Sequence, residues 1–265
     1  MSETRILIFD SGVGGISVFK DIKARLPWVS CTYAFDNEAY PYGELDPNEL
    51  VERVELYVNH FIETQNISLV VIACNTASTI VLPRLREKIK IPIVGVVPAI
   101  KPASQCSSLG VGLIATPATV TREYTHELIR HFASDKDVVM VGTTKLVDMA
   151  EQKLRGVPVD LKVLDKVLKP LQTTVDVAVL GCTHFPLLRD EIREVLGSKV
   201  LLVDSGDAIS RRVEFLLQND CCEKGIDEVA YDVYCSAEPY DRSALQLSFT
   251  QLGFSNIKIH PLQDA

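Results

Sequence analysis

The sequence predicts an α/β fold of two pseudo-symmetric lobes, each with a parallel-type sheet flanked by helices. Three observations carry that expectation. Short apolar, β-branched runs recur at Arg5–Phe9, Cys31–Phe35, Leu69–Ala73, Ile93–Val97, Leu109–Ala115, Asp137–Val141, Asp176–Leu180 and Lys199–Val203, and each has the length of a buried strand. Between them, Gly15–Leu26, Asn48–Gln65, Ala77–Lys88, Thr119–Phe132 and Leu187–Leu196 place apolar residues three and four apart, as amphipathic helices do. Strands that are apolar throughout and alternate with helices belong to parallel sheets covered on both faces.

The third observation is a pair of recurring junctions. Asp10-Ser11-Gly12 follows the first strand, and Asp204-Ser205-Gly206 follows the last. Likewise Ala73-Cys74-Asn75-Thr76 and Gly181-Cys182-Thr183-His184 each follow a strand. The two pairs occur in opposite order along the chain, so the expectation is two similar lobes with shuffled connections rather than a tandem repeat. Val97-Pro98-Ala99 and the turn at 204–207 are the expected crossings between lobes.

At 265 residues the chain fits one large core or two small ones, at roughly 150 residues per domain. Hydrophobic residues make up 47% and charged residues 23%, which excludes a disordered chain or a coiled coil. The net charge is −8, with 35 acidic against 27 basic residues; without a Lys/Arg cluster, nucleic acid is not expected as the main ligand. No apolar run approaches the ~18 residues of a membrane span, and the first ten residues lack a signal-peptide core. The expectation is therefore a cytoplasmic protein that makes no use of a membrane. Seven cysteines without an export signal read as free thiols.

In open α/β sheets, ligands sit beyond the carboxyl ends of strands, where helix N-termini offer unpaired amides. Cys74 and Cys182 are both expected there, where a thiolate is favoured. Polar residues follow each one immediately, which an inert core cysteine would not require. A zinc site is disfavoured, because there is no C-x-x-C pair, Cys221 and Cys222 are adjacent, and Cys182 with His184 lacks two further ligands. Two equivalent cysteines suggest instead an acid and a base on opposite sides of one carbon. The loop Asp10–Gly15 begins like a dinucleotide fingerprint, but Ser17 occupies the third glycine position. It remains a good cradle for a carboxylate, and Asp10 also reads as a simple helix cap.

The segments Phe9-Asp10-Ser11-Gly12-Val13-Gly14-Gly15, Tyr40-Pro41-Tyr42-Gly43, Ala73-Cys74-Asn75-Thr76-Ala77 and Gly181-Cys182-Thr183-His184-Phe185-Pro186 resemble those of the cofactor-independent glutamate racemases, across nearly the whole chain. The resemblance implies a first lobe of residues 1–97 plus 208–265 and a second of 98–207, with the active site between them. It implies Cys74 as the base toward D-glutamate and Cys182 as the base toward L-glutamate. Asp10 and Asp36 would lie near the first, and Glu151 and His184 near the second. Substrate contacts carry over to Ser11, Pro41, Tyr42, Gly43, Asn75, Thr76, Thr116, Thr119 and Thr183. No metal and no cofactor is implied, and the role is supply of D-glutamate for peptidoglycan. Some enterobacterial members carry an N-terminal extension and require a cell-wall precursor as activator; this chain has almost no such extension, and that dependence is not carried over. A homodimer is expected. Two rivals from other classes are a non-catalytic binding protein for acidic amino acids and a nucleotide-dependent dehydrogenase.

Overall fold

A computed structural model describes residues 4–219 and 228–262; Cys221 and Cys222 lie outside them. The chain divides into two compact units, Met1–Val96 with Gly206–Ala265, and Val97–Ser205. The first unit begins with β1 (Arg5–Asp10), α1 (Ile16–Arg25), β2 (Ser30–Phe35), α2 (Pro47–Thr64), β3 (Ile67–Ile72), α3 (Asn75–Lys88) and β4 (Ile93–Gly95). The second unit holds α4 (Ile100–Cys106), β5 (Val111–Ala115), α5 (Pro117–Thr121), α6 (Glu123–Phe132), β6 (Val138–Gly142), α7 (Lys145–Leu154), α8 (Leu161–Leu168), β7 (Val177–Leu180), α9 (Arg189–Leu196) and β8 (Leu201–Val203). The chain then returns to the first unit as α10 (Gly206–Asn219), β9 (Tyr231–Cys235), α11 (Arg242–Gln251) and β10 (Lys258–Ile259).

Among the described residues every ladder is parallel. The first sheet has the order β10-β9-β2-β1-β3-β4 and the second β6-β5-β7-β8. Register within the first is set by Arg5 opposite Ser30 and Ile6 opposite Leu69, and within the second by Val111 opposite both Val138 and Val177. All eight apolar runs in the sequence are strands. Burial on both faces explains why β1, β2, β3, β5 and β7 read as continuous apolar segments rather than alternating ones, whereas the edge strands β6 and β8 are partly exposed. On one face of the first sheet, Leu7, Phe9 and Val70 pack with Leu50, Val54, Tyr57 and Phe61 of α2 and Val81 and Leu85 of α3. In the second unit, Leu113, Ala115, Val177 and Val179 pack with Ile100 and Ala103 of α4.

Three expectations are corrected. The connections are not shuffled: taking strands in chain order, both units follow the order second-first-third-fourth across the sheet. The match of Asp10-Ser11-Gly12 to Asp204-Ser205-Gly206 misled, because it pairs a first strand with a fourth. Such polar triplets recur wherever a strand feeds a helix, since Asp and Ser satisfy turn and cap amides. The helix expected over Thr119–Phe132 breaks at Arg122, which is extended (φ −73°, ψ 137°). At the end of α5 the Thr121 hydroxyl donates to the carbonyls of Pro117 (3.0 Å) and Ala118 (3.3 Å), competing for the acceptors of the last turn. Finally, the helix expected over Leu187–Leu196 is a 3₁₀ turn at Phe185–Leu188 followed by α9, so no α-helix starts beside Cys182.

The return of the chain from α10 to α11 adds β9 beside β2, with Cys31 opposite Tyr231 and Phe35 opposite Cys235. Phe249 and Phe254 then cover Tyr33 at 5.7 and 6.1 Å between ring centroids.

Gly181 lies between β7 and Cys182, and a side chain is not tolerated there. A Cβ would stand 2.8 Å from Leu113 Cδ1 and 3.0 Å from the Ile114 carbonyl oxygen. Gly181→Ala is expected to destabilise by about 1–3 kcal/mol through overpacking. Urea unfolding should show a lowered midpoint at unchanged slope.

Candidate active site

In the first unit, three adjacent strands deliver the expected residues at their carboxyl ends. β1 ends at Asp10, which is fully buried. Its carboxylate accepts the amides of Ser11 (2.7 Å) and Gly15 (2.5 Å), closing the loop that leads into α1. Tyr33 donates to the Gly12 carbonyl at 2.8 Å and braces the same loop. Asp10 is therefore the organiser of this turn, and the Ser11 hydroxyl is the group it presents to Cys74, at 3.6 Å from Sγ.

Cys74 follows β3 and is the N-cap residue of α3. Asn75 and Thr76 form the first turn, where amides lack intrahelical acceptors and the dipole end is positive. Asn75 is buried, and its Oδ1 has no hydrogen-bond partner among the described residues. A buried, unpaired acceptor costs free energy unless a donor arrives, so this oxygen is set for one.

Asp36 directly follows β2 and is 0% exposed. Both of its oxygens are taken: Arg53 of α2 donates from Nε (2.7 Å) and Nη2 (2.9 Å), and the Tyr42 hydroxyl donates at 2.7 Å. Burial raises the Asp36 pKa, but Arg53, Ser236 and Tyr42 outweigh it and leave the carboxyl below its usual range. Tyr42 moves the other way: burial, then the Asp36 charge, then Cys74, hold the phenol well above 10. Pro41 precedes the short 3₁₀ turn Tyr42–Glu44 that also contains Gly43, and the Tyr40–Pro41 peptide is cis.

In the second unit, Thr116 follows β5 and caps α5, accepting the Thr119 amide at 3.2 Å while the two hydroxyls meet at 2.9 Å. After β7 come Cys182, Thr183 and His184, all buried. His184 Nδ1 lies 3.7 Å from Cys182 Sγ, and its Nε2 lies 2.9 Å from Glu151 Oε1. Arg155 donates to the other Glu151 oxygen at 2.6 Å. Burial works against the imidazolium, yet Cys182 and Glu151 outweigh it and hold His184 well above 6.5. Burial likewise opposes the Glu151 carboxylate, and His184 and Arg155 still bring its pKa down to about 2.

Of the expected residues, the structure thus joins Cys182, His184 and Glu151 in one chain of contacts, Cys74 with Ser11, and Asp36 with Tyr42. The sequence reading missed Arg155 and Arg53. Arg155 was within reach as an i,i+4 partner of Glu151, whereas Arg53 lies on a different element from Asp36 and gives no local signal. Cys31 and Cys235 are buried and unsuited to thiolate chemistry: burial pushes the first far up and the second to about 12. Cys106 is exposed. Among the described residues, no cluster of three His, Cys, Asp or Glu could hold a metal ion, and no helix is long and apolar enough to cross a membrane.

Two parallel-sheet units, each presenting a cysteine just past its third strand, define an α/β enzyme of the racemase type. The family model for Asp/Glu/Hydantoin racemase matches residues 17–213. A glutamate racemase of Vibrio cholerae is 56% identical over 265 residues, spanning 97% of each chain. Among solved structures, Escherichia coli glutamate racemase in complex with L-glutamate and the activator UDP-MurNAc-ala matches with a TM-score of 0.92 at 44% identity, covering 98% of this chain and 99% of that one. Glutamate racemase from Thermus thermophilus in complex with beta-chloro-D-alanine matches with a TM-score of 0.80 at 28% identity over 99% of both. The chain belongs to the Asp/Glu/hydantoin racemase family and is an isomerase.

The Glu151–His184 pair gives stability a defined pH dependence. The Glu151 pKa is lowered, so its contribution is present above the unfolded value of 4.5 and is lost as pH falls toward about 2. His184 has the opposite sign: its contribution is full below 6.5 and is lost as pH rises through its elevated folded value. Glu151→Gln should cost about 2–3 kcal/mol near neutral pH. Urea unfolding of parent and variant across pH should show that difference shrinking below 4.5.

Proposed function

We propose that the protein interconverts L- and D-glutamate by proton transfer at Cα, with the Cys74 and Cys182 thiols as the two bases and no cofactor. The observation that carries this reading is topological equivalence. Each cysteine immediately follows the third strand of a sheet with the same strand order, and each has a polar partner on its sulfur. Glutamate as substrate is supported by the Vibrio and Escherichia glutamate racemases and by the L-glutamate complex of the latter.

Racemisation removes a weakly acidic Cα proton and returns one to the opposite face, which a single side chain cannot serve. In one direction Cys74 is thiolate and Cys182 thiol; in the other the states exchange. Cys74 takes the proton of D-glutamate and Cys182 that of L-glutamate. Charge building on the α-carboxylate is met by amides at the start of α3, with Thr76 and Thr183 adding hydroxyls. Asn75 Oδ1 accepts from the substrate ammonium. Ser11, Pro41, Tyr42, Gly43, Thr116 and Thr119 complete the substrate contacts. Asp10 contributes by shaping the Ser11 loop, and His184, steadied by Glu151, carries protons to and from Cys182. The product D-glutamate serves peptidoglycan synthesis in the cytoplasm, and the working form is a homodimer.

In deuterated water, either enantiomer is expected to gain deuterium at Cα without added cofactor, as followed by NMR. Cys74→Ala and Cys182→Ala should each abolish racemisation, whereas Cys106→Ala should retain it. Retention of the original Cα proton in the product would sink the two-thiol reading.

Enantiomers have equal free energy, so any variant has equal kcat/KM in both directions. The proton-transfer steps need not be equal. His184→Asn should slow transfer between Cys182 and Cα, which enlarges the isotope effect on kcat/KM for Cα-deuterated L-glutamate and reduces it for the D enantiomer. Changes of the same sense for both would make His184 a general structural support.

A further inference from the structure

We propose that Arg53 is a positioning residue of this site, acting through Asp36 to hold Tyr42 and its turn beside Cys74; the proposal rests on the reading of Cys74 as a reacting thiol. Arg53 projects from α2, whose Leu50, Val54, Tyr57 and Phe61 are locked in the core with Phe9 and Tyr42 itself. Its guanidinium fork spans both oxygens of Asp36, at 2.7 and 2.9 Å. An ionised carboxylate only accepts, so the Tyr42 hydroxyl, 2.7 Å from Oδ2, must donate. The phenol is thereby fixed in direction as well as place. Tyr42 opens the turn Tyr42–Glu44, which packs against α3, and Cys74 is the N-cap of that helix.

The second unit repeats the device. There Arg155 pins Glu151, Glu151 holds the His184 ring, and the ring meets Cys182. In both units an arginine-held carboxylate fixes a polar ring near the thiol. Lysine cannot reproduce the fork, because an ammonium is a point charge without planar paired donors. Glu38 takes the outer face of Arg53 at 2.8 Å, is exposed, and serves as the control.

The test compares Arg53→Lys, Tyr42→Phe and Glu38→Gln with the parent enzyme in two assays. The first is iodoacetamide alkylation of Cys74 and Cys182 without substrate, resolved by mass spectrometry. The second is kcat and KM for glutamate. Arg53→Lys should speed alkylation of Cys74 several-fold and leave Cys182 unchanged. It should also raise KM by ~10-fold with kcat altered by less than about 3-fold, as expected for lost uniform binding. Tyr42→Phe keeps the Asp36–Arg53 pair and should give the same Cys74-selective gain even if Arg53→Lys folds poorly. Combining the two should add little to either alone, and Glu38→Gln should match the parent. The proposal is overturned if Cys74 reacts at the parental rate in both variants, or if Cys182 accelerates equally. If the parent itself does not racemise glutamate, the functional reading falls while the alkylation assay still decides the role of Arg53.

Discussion

The structure depends on one constraint: in a sheet whose strands all run the same way, every carboxyl end emerges at the same edge. A helix must follow each strand to carry the chain back, so that edge collects helix starts and turns with unsatisfied amides. Asp10, Asp36 and Cys74 lie at the ends of β1, β2 and β3 for this reason, and Thr116 and Cys182 at the ends of β5 and β7. The closeness of Asp10, Asp36 and Cys74 within the first unit owes nothing to sequence proximity. It follows from register, which seats Asp10 opposite Phe35 and Phe9 opposite Ile72.

The carboxyl-end edges of the two sheets treat their thiols differently. Cys74 begins an α-helix of 14 residues, so oriented amides and the positive dipole end stand beside it. Cys182 begins only a tight turn, in which the Phe185 amide returns to the Cys182 carbonyl at 3.0 Å, and α9 starts further on. What the helix supplies at one sulfur, a buried imidazole supplies at the other. Equivalent positions in topology therefore differ in their electrostatic source, and no pattern of strands and helices would reveal it.

The sequence made the fold legible wherever burial on both faces produced continuous apolar runs. β9 escaped because Asp232 interrupts it and only Val233 and Cys235 are fully buried; its partner β2 tells it where to go. The site was legible at the cysteines, whose polar followers mark strand-to-helix junctions, and by resemblance at His184 and Glu151. It was illegible at Arg53, since an ion pair between a helix and a strand end leaves no local pattern. It was misleading at the repeated Asp-Ser-Gly triplet, where turn chemistry imitated ancestry. Asp10 reads as a cap and is one in effect, closing its loop by accepting two amides.

Burying Asp36 and Glu151 is costly, because desolvation of an ion pair can exceed what its attraction returns. Stability is therefore a poor account of why each unit contains an arginine–carboxylate pair behind its thiol. Direction is a better one: a carboxylate with both oxygens assigned dictates which way the next ring must donate. The rings then diverge in what they can do. The Tyr42 phenol, held well above 10, keeps its proton at neutral pH and donates it as a hydrogen bond to Asp36. The His184 imidazole has a nitrogen on each side, one toward Cys182 and one toward Glu151, so the ring bridges thiol and carboxylate. The wiring is shared by the two units, and under the two-thiol proposal the choice of ring decides whether it carries position alone or position together with a proton.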